Sequence, residues 1–482
     1  MSISRNTLYN VAGALVPLIL ALVTVPLYLQ HIGAARYGVL AIVWLLLGYF
    51  GIFDLGLSHA TANKIARLRD APATEREEVL WTACLINAAL GLLGGLILYL
   101  VGGLLLGHWF KMSGSLHAEA LTALPWIAAA VPVATISGVL AGALEGRQEF
   151  GMANIIQAVG TILFQIVPLA AAIFISPKLQ VVVPAAIIVR TASIVPLAFA
   201  VRSALPMHHG PRIGTGHARG LLAYGLWITV TNFVSPLLAS LDRFFIGVVL
   251  GAPAVAYYSV PFSLVGRTQI LARALSRTLF PYLSAEAPSQ AKTRVLESAT
   301  AIGAVMIPTV VVAIFTLPPL LSVWLGDTFA TRAAPVAEVL LCGVWLNGLA
   351  SIPLVMLQAQ GRPDIVAKFH LVELVPFVGT LWYAVHRFGL VGAAVAWDLR
   401  VGVDALLLFW AAGIGGEIVK RLALGSLLVL CAWLCNRFLP EPMNFTKVLV
   451  AALLIVATLA WSIRSSARLR QEIRRAFRYA NV

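Results

Sequence analysis

Six arginines lie inside stretches that are otherwise apolar enough to cross a membrane: Arg190, Arg243, Arg267, Arg273, Arg277 and Arg400. On insertion scales each would cost at least ~2.5–3.5 kcal/mol if it faced lipid at mid-membrane, so these side chains must face protein or water. Guanidinium groups keep their charge when desolvated and match phosphate oxygens two at a time, which points to an anionic, phosphate-bearing ligand. Acids share the same surroundings: Asp54, Asp242, Asp398 and Asp404, with Glu373 beside them. They read either as counter-charges or as groups that couple an ion to the protein's cycle. The stretch SLDRFFIGVVLG, 240–251, sets Asp242 directly before Arg243. On a helix the two point about 100° apart, so the expectation is that they do not simply neutralise each other and that one of them pairs across helices.

The elements that position these charges follow from composition. The chain is 60% hydrophobic and 11% charged over 482 residues, with a mean hydropathy of +0.91, far from the balance of a soluble domain. A hydrocarbon core about 30 Å thick needs roughly 20 apolar residues per helix. About 14 such spans can be placed, near 8–30, 38–62, 79–106, 120–143, 152–175, 181–201, 221–250, 255–283, 296–325, 335–359, 367–386, 389–414, 422–439 and 446–463. Their length favours helices over barrel strands, so the fold class is all-α integral membrane. The first span has no small-residue cleavage pattern after it and reads as an uncleaved helix. Cys84, Cys342, Cys431 and Cys435 all fall inside spans and read as small apolar filler.

The net charge of +14 is informative through its distribution. Alternate loops hold 21 Lys and Arg on the side of the N-terminus and 7 on the other, which predicts cytoplasmic termini. The basic tail RLRQEIRRAFR reads as a solvated or headgroup-facing segment rather than a nucleic-acid site.

An internal repeat organises the spans. GAARYGVLAIVWLL from Gly33 resembles GAPAVAYYSVPFSL from Gly251, and ALEGRQEFGMANIIQ around Gly146 resembles LQAQGRPDIVAKFHL around Gly361. Nearly equal offsets across six spans predict two parallel six-helix lobes, 1–202 and 220–415, joined by a cytoplasmic linker 203–219. Two further helices, 416–463, and a basic tail, 464–482, complete the chain. The linker histidines His208 and His209 lack further ligands nearby and read as a solvated loop, so no metal and no cofactor is expected. Gly251 matches Gly33, which puts the turn at Gly251–Pro253 and Asp242 about 13 Å into the membrane. Taken as one helix, 255–283 places Arg267, Arg273 and Arg277 in an arc of about 120°, a ladder from mid-membrane to the cytoplasmic mouth, with Arg190 and Arg400 near the midplane, one per lobe. Two readings stay open: structural ion pairs with the intramembrane acids, or a water-filled cationic cavity.

The run NFVSPLLASLDRFFIGVVLGAPAVAYYSVPFSLVGRTQILARALSRTLFPYLS, together with LQAQGRPDIVAK, FGLVGAAVAWDLR and FDLGLSHATANKIAR, resembles Wzx-type polysaccharide flippases of the multidrug/oligosaccharidyl-lipid/polysaccharide exporter superfamily. The resemblance covers roughly 1–415. It implies export of a polyprenyl-diphosphate-linked glycan across the bacterial cytoplasmic membrane by alternating access, with membrane lipids around the protein and a glycan polymerase and chain-length machinery as partners. Arg190, Arg243, Arg267, Arg273, Arg277 and Arg400 would bind that substrate, and Asp54, Asp242, Asp398 and Asp404 would couple an ion or balance charge. A peptidoglycan-precursor flippase fits the same chemistry, while a cation-coupled drug antiporter would want an acidic cavity. A polymerase or acyltransferase would need catalytic groups outside; the longest outer loop, near 107–119, offers only His108, Lys111 and His117, and no zinc, nucleophile-elbow or phosphate-loop motif occurs.

Overall fold

The computed structural model describes residues 3–49, 54, 56–68, 71–205, 238, 240–270, 272, 275–276, 279, 283, 288–439 and 444–465. All regular structure among the described residues is helical, as apolar runs of this length require where water cannot satisfy backbone groups. The chain divides into two compact units, one of residues 1–240 with 247–256 and a second of 241–246 with 257–482. Most of the expected linker 203–219 and the start of the seventh span lie outside the described residues.

The first unit begins with α1 (Ile3–Tyr49), two spans joined at Gly33, whose φ of 76° belongs to the left-handed region that glycine enters without a Cβ clash. Gly251, its partner in the repeat, has φ 93° and also links two helices, so the duplicated glycines perform the same turn. Sequence placed one span over 38–62; instead α1 stops at Tyr49 and α2 (Leu57–Arg67) starts anew. Gly56, at φ 71°, sits in the turn that precedes α2, and the Asp54 carboxylate accepts the Ser58 N–H at 3.0 Å in the first turn of that helix. The unit continues with α3 (Ala73–Leu104), α4 (Gly114–Gly146), α5 (Phe150–Phe174), α6 (Leu179–Ala192) and α7 (Ile194–Ala204).

Close helix contact in the first unit is made by small residues. Gly138, Gly142 and Gly146 recur every fourth position of α4 and lie against α2; a Cβ at Gly142 would strike the Ser58 carbonyl, and one at Gly146 would come within 2.6 Å of the Ala62 carbonyl. Without a hydrophobic drive between helices in lipid, such backbone approach supplies the packing. Aromatic rings lock the two arms of α1 to α5: Tyr28 donates its hydroxyl to the Gln165 carbonyl at 3.0 Å and packs edge-on to Trp44 at 5.3 Å.

The second unit takes the first turns of α8 (Leu241–Val249) and most of α9 (Ala252–Gly266), then α10 (Pro288–Leu325), α11 (Asp327–Ala359), α12 (Pro363–Ala411), α13 (Gly415–Phe438) and α14 (Phe445–Ser465). α12 is a hairpin of two arms, 363–388 and 390–411, bent where Gly389 leaves helical geometry. Among the described residues nine helical segments are long and apolar enough to cross a membrane. Leu92, Leu96, Leu100 and Leu104 on α3, and Val372 and Val375 on α12, are exposed, as side chains that meet lipid should be.

Candidate functional site

The described sequence-selected charges of the second unit lie on α8, in the 3₁₀ segment just past α9, and on α12. Asp242 is fully buried in the first turn of α8. One carboxylate oxygen accepts the Tyr258 hydroxyl from α9 at 2.7 Å; the other accepts the backbone N–H of Arg243 at 2.8 Å and lies 3.3 Å from its guanidinium. The expectation that the two neighbours could not neutralise each other is therefore corrected. The 100° argument assumes an established helix, whereas Ser240 is in a turn and the long arginine arm folds back over the first turn of α8. Pairing across helices does occur, but through the neutral Tyr258. The Arg243 guanidinium also sits 3.9 Å from the centre of the Phe262 ring, which packs edge-on against Trp397 at 5.3 Å. A cation over an aromatic face keeps part of its stabilisation when water is removed.

The hairpin α12 brings together residues far apart in sequence. Arg400 on the second arm meets Glu373 on the first at 3.3 Å, and Asp404, one turn beyond Arg400, lies 3.7 Å from His370. His370, Glu373 and Asp404 are all buried. Sequence reasoning chose Arg400 and Asp404 as site residues, counted Glu373 only as an ion-pair partner, and passed over His370. The signal was available: i, i+3 and i, i+4 charge pairs on two consecutive spans separated by a short turn at Gly389.

Asp398 occupies different surroundings. Its carboxylate borders a cavity of about 510 Å³ walled by α11, α12 and α13 and lined by Trp345, Leu349, Phe409, Leu422 and other largely apolar residues. No donor among the described residues reaches its Oδ1. Gly343 on α11 leaves the room the carboxylate occupies, since a Cβ there would overlap Asp398.

In the first unit Arg190 ends α6, half-buried and without an acidic partner among the described residues. Ser193 closes that helix by donating to the Arg190 carbonyl at 2.6 Å. Asp54 is buried, bound by Ser58 N–H and by the Asn87 amide at 2.7 Å. A second buried acid, which sequence reasoning missed, is Glu119: Arg36 grips it through two hydrogen bonds of 2.8 and 2.7 Å, and Leu179 N–H adds a third at 3.0 Å.

Arg267 is half-buried and has no acidic partner among the described residues. It does not continue α9; it opens a 3₁₀ segment, Arg267–Gln269. Arg273 and Arg277 lie outside the described residues. The sequence-selected arginines thus fall into two kinds: Arg243 and Arg400 are held by acids, while Arg190 and Arg267 carry charge that no described acid answers.

Solved structures share this helical membrane fold. A lipid II flippase, MurJ, in an inward closed conformation superimposes with a TM-score of 0.72 at 14% identity, over 95% of this chain and 99% of that one. An inward-facing multidrug resistance MATE family transporter of the MOP superfamily gives 0.64 at 15% identity, over 84% and 99%. The family model described as polysaccharide biosynthesis protein matches residues 3–286. The "Putative O-antigen transporter" of Shigella flexneri is 31% identical over 411 residues, 85% of this chain and 97% of that protein. The chain belongs to the polysaccharide biosynthesis protein family, as an integral membrane transporter and not an enzyme.

Proposed function

We propose that this protein carries a polyprenyl-diphosphate-linked oligosaccharide from the inner to the outer leaflet of the bacterial cytoplasmic membrane, for assembly of a surface polysaccharide. The observation that carries the reading is that Arg190 in the first unit and Arg267 in the second are each half-buried, with no acidic partner among the described residues. Charge held in that state inside a membrane protein is costly unless a ligand or water meets it. A diphosphate supplies oxygens in the spacing that a guanidinium fork binds. The name of the Shigella flexneri relative adds support for a surface-glycan cargo.

The mechanism rests on charge and solubility. The arginines offset the lost hydration of the diphosphate while the polyprenyl tail stays in lipid, and the two six-helix lobes rock to expose the head group to alternate sides of the membrane. Attraction must be moderate or release would stall, and acids beside Arg243 and Arg400 lower the positive field at those positions. Arg273 and Arg277 meet the substrate first at the cytoplasmic mouth, and both termini are cytoplasmic. The glycan is then taken by a polymerase and chain-length machinery outside.

The test is complementation of a strain lacking the gene, read as the leaflet in which lipid-linked oligosaccharide accumulates. Arg190→Ala and Arg267→Ala should each leave the oligosaccharide inside at normal protein abundance. Arg267→Lys should restore export only in part, because an ammonium lacks the two-pronged geometry. Complete rescue by both alanine variants would refute the cationic site.

A further inference from the structure

The short helix α2 turns polar side chains outward at a depth where its neighbour α3 turns out leucines. His59, Asn63 and Arg67 are exposed, and their spacing of four positions keeps them within about 80° of one another on the helix. A different face does the packing: Ser58, Ala62 and Ile65 lie against Gly138, Gly142 and Gly146 of α4. None of the three exposed polar side chains makes a hydrogen bond or ion pair with another described residue.

Two contacts fix how deep this face lies. The Arg76 guanidinium of α3 donates to the Leu68 carbonyl just past the end of α2 at 3.1 Å, and the Asn87 amide of α3 donates to Asp54 just before its start at 2.7 Å. Asn87 is eleven positions after Arg76, about 16 Å of helix, which matches the 11 residues of α2. The two helices therefore run antiparallel, side by side. His59, nine positions before Leu68, is level with Leu85, nine positions after Arg76; Asn63 is level with Trp81 and Arg67 with Glu77. The apolar run of α3 starts at Val79, which puts His59 about 9 Å inside it, Asn63 about 3 Å and Arg67 at its rim.

At this depth the two exposed faces have opposite chemistry. On α3 they are Leu85, Leu92 and Leu96, a surface for lipid. An imidazole and a carboxamide turned toward hydrocarbon would leave donors and acceptors unmet, so the face of α2 meets water. Its chemistry selects a ligand. A neutral imidazole and a carboxamide each hold both a donor and an acceptor, which is the pattern of neighbouring sugar hydroxyls; Arg67 adds donors at the rim. An ionised phosphate offers acceptors only and would leave the Asn63 carbonyl unanswered.

We propose that His59, Asn63 and Arg67 form a sugar-binding rail, which meets the glycan of the cargo and selects among glycans, while the diphosphate is left to Arg190 and Arg267. Assigning the rail to a transported glycan rests on the flippase reading; its exposure to water does not.

The test has two arms, both on the full-length protein. With Cys84, Cys342, Cys431 and Cys435 replaced by alanine, His59→Cys, Asn63→Cys and Leu85→Cys are each treated with a charged, membrane-impermeant thiol reagent in inside-out vesicles. His59→Cys and Asn63→Cys should react and Leu85→Cys should not. Reaction of His59→Cys no faster than Leu85→Cys would overturn the rail, whatever the cargo. The second arm measures equilibrium binding of two probes to purified protein in lipid nanodiscs: lipid-linked oligosaccharide extracted from a strain lacking the gene, and polyprenyl diphosphate without sugar. His59→Ala and Asn63→Ala should each weaken the first about fivefold, the worth of one neutral hydrogen bond, and leave the second unchanged, whereas Arg190→Ala should weaken both. Wild-type affinity for the oligosaccharide probe in the His59→Ala, Asn63→Ala double variant would overturn the rail. Equal losses for both probes, at wild-type melting temperature, would overturn it as a sugar site. If wild type binds neither probe, the flippase reading fails and the glycan assignment with it, while the labelling still decides whether this face meets water.

Discussion

The two units bury acids to the same depth and furnish them differently. In the first unit Asp54 and Glu119 are 7% and 6% exposed, and every carboxylate oxygen of both receives a hydrogen bond. In the second, Glu373 and Asp404 are each 5% exposed, but one oxygen of each, and one of Asp398, meets no donor among the described residues. A buried acid with all its partners is a tie between elements; one lacking partners retains capacity for a ligand or a proton. The difference marks Asp54 and Glu119 as ties between elements; in the second unit Asp242 is bonded as fully as they are, while Glu373, Asp404 and Asp398 each keep an oxygen that no described donor reaches.

Substitutions can break this contrast. The largest stability loss is expected at Arg243. Arg243→Ala strands the fully buried Asp242 with Tyr258, and loss of one partner of a buried pair costs about 3–5 kcal/mol. Abundance and melting temperature should fall, and adding Asp242→Asn should recover part of the loss. If Arg243→Ala alone proved neutral, the pair would be incidental.

Arg36→Met should come next, costing about 1.5–3 kcal/mol because hydrogen bonds to a charged group are lost and Glu119 keeps only Leu179 N–H. Export per folded molecule should be unchanged, which thermal melts beside an abundance-corrected export assay would establish. Asp54→Ala should cost about 1 kcal/mol, the usual value of a helix-start cap, again without a change in export per folded molecule. A loss of export in folded Asp54→Ala would give Asp54 a part in transport and undo the comparison. Smallest of all, Asp398→Asn should shift stability by less than about 1 kcal/mol, since the substitution keeps the shape and no described hydrogen bond is made by Oδ1.

Much of this was legible in the sequence because membranes impose simple rules. Span-length apolar runs could only be helices, and the match of Gly33 to Gly251 located two turns that both require positive φ. The intramembrane arginines were visible as charges in apolar runs. The features that escaped depended on local irregularity or tertiary pairing. Hydropathy ran on through 50–56, so the restart of the helix at Leu57 was hidden, although Asp54 and Gly56 supply a cap and a turn. The end of α9 at Gly266 and the 3₁₀ segment that follows it at Arg267 were likewise hidden in an apolar run. Glu373 meets Arg400 27 positions away, and Glu119 meets Arg36 83 positions away. Spacing within one helix could not reveal either pair; only the bend at Gly389 and the packing of the first unit do.

The central claim, that unanswered guanidinium groups hold the diphosphate of a lipid-linked glycan, is tested most directly by the Arg190→Ala, Arg267→Ala double variant. Measured at wild-type abundance in a strain lacking the gene, with the leaflet of the lipid-linked oligosaccharide as readout, the variant should leave the oligosaccharide on the cytoplasmic side. Oligosaccharide delivered to the outer leaflet at the wild-type rate would contradict the account.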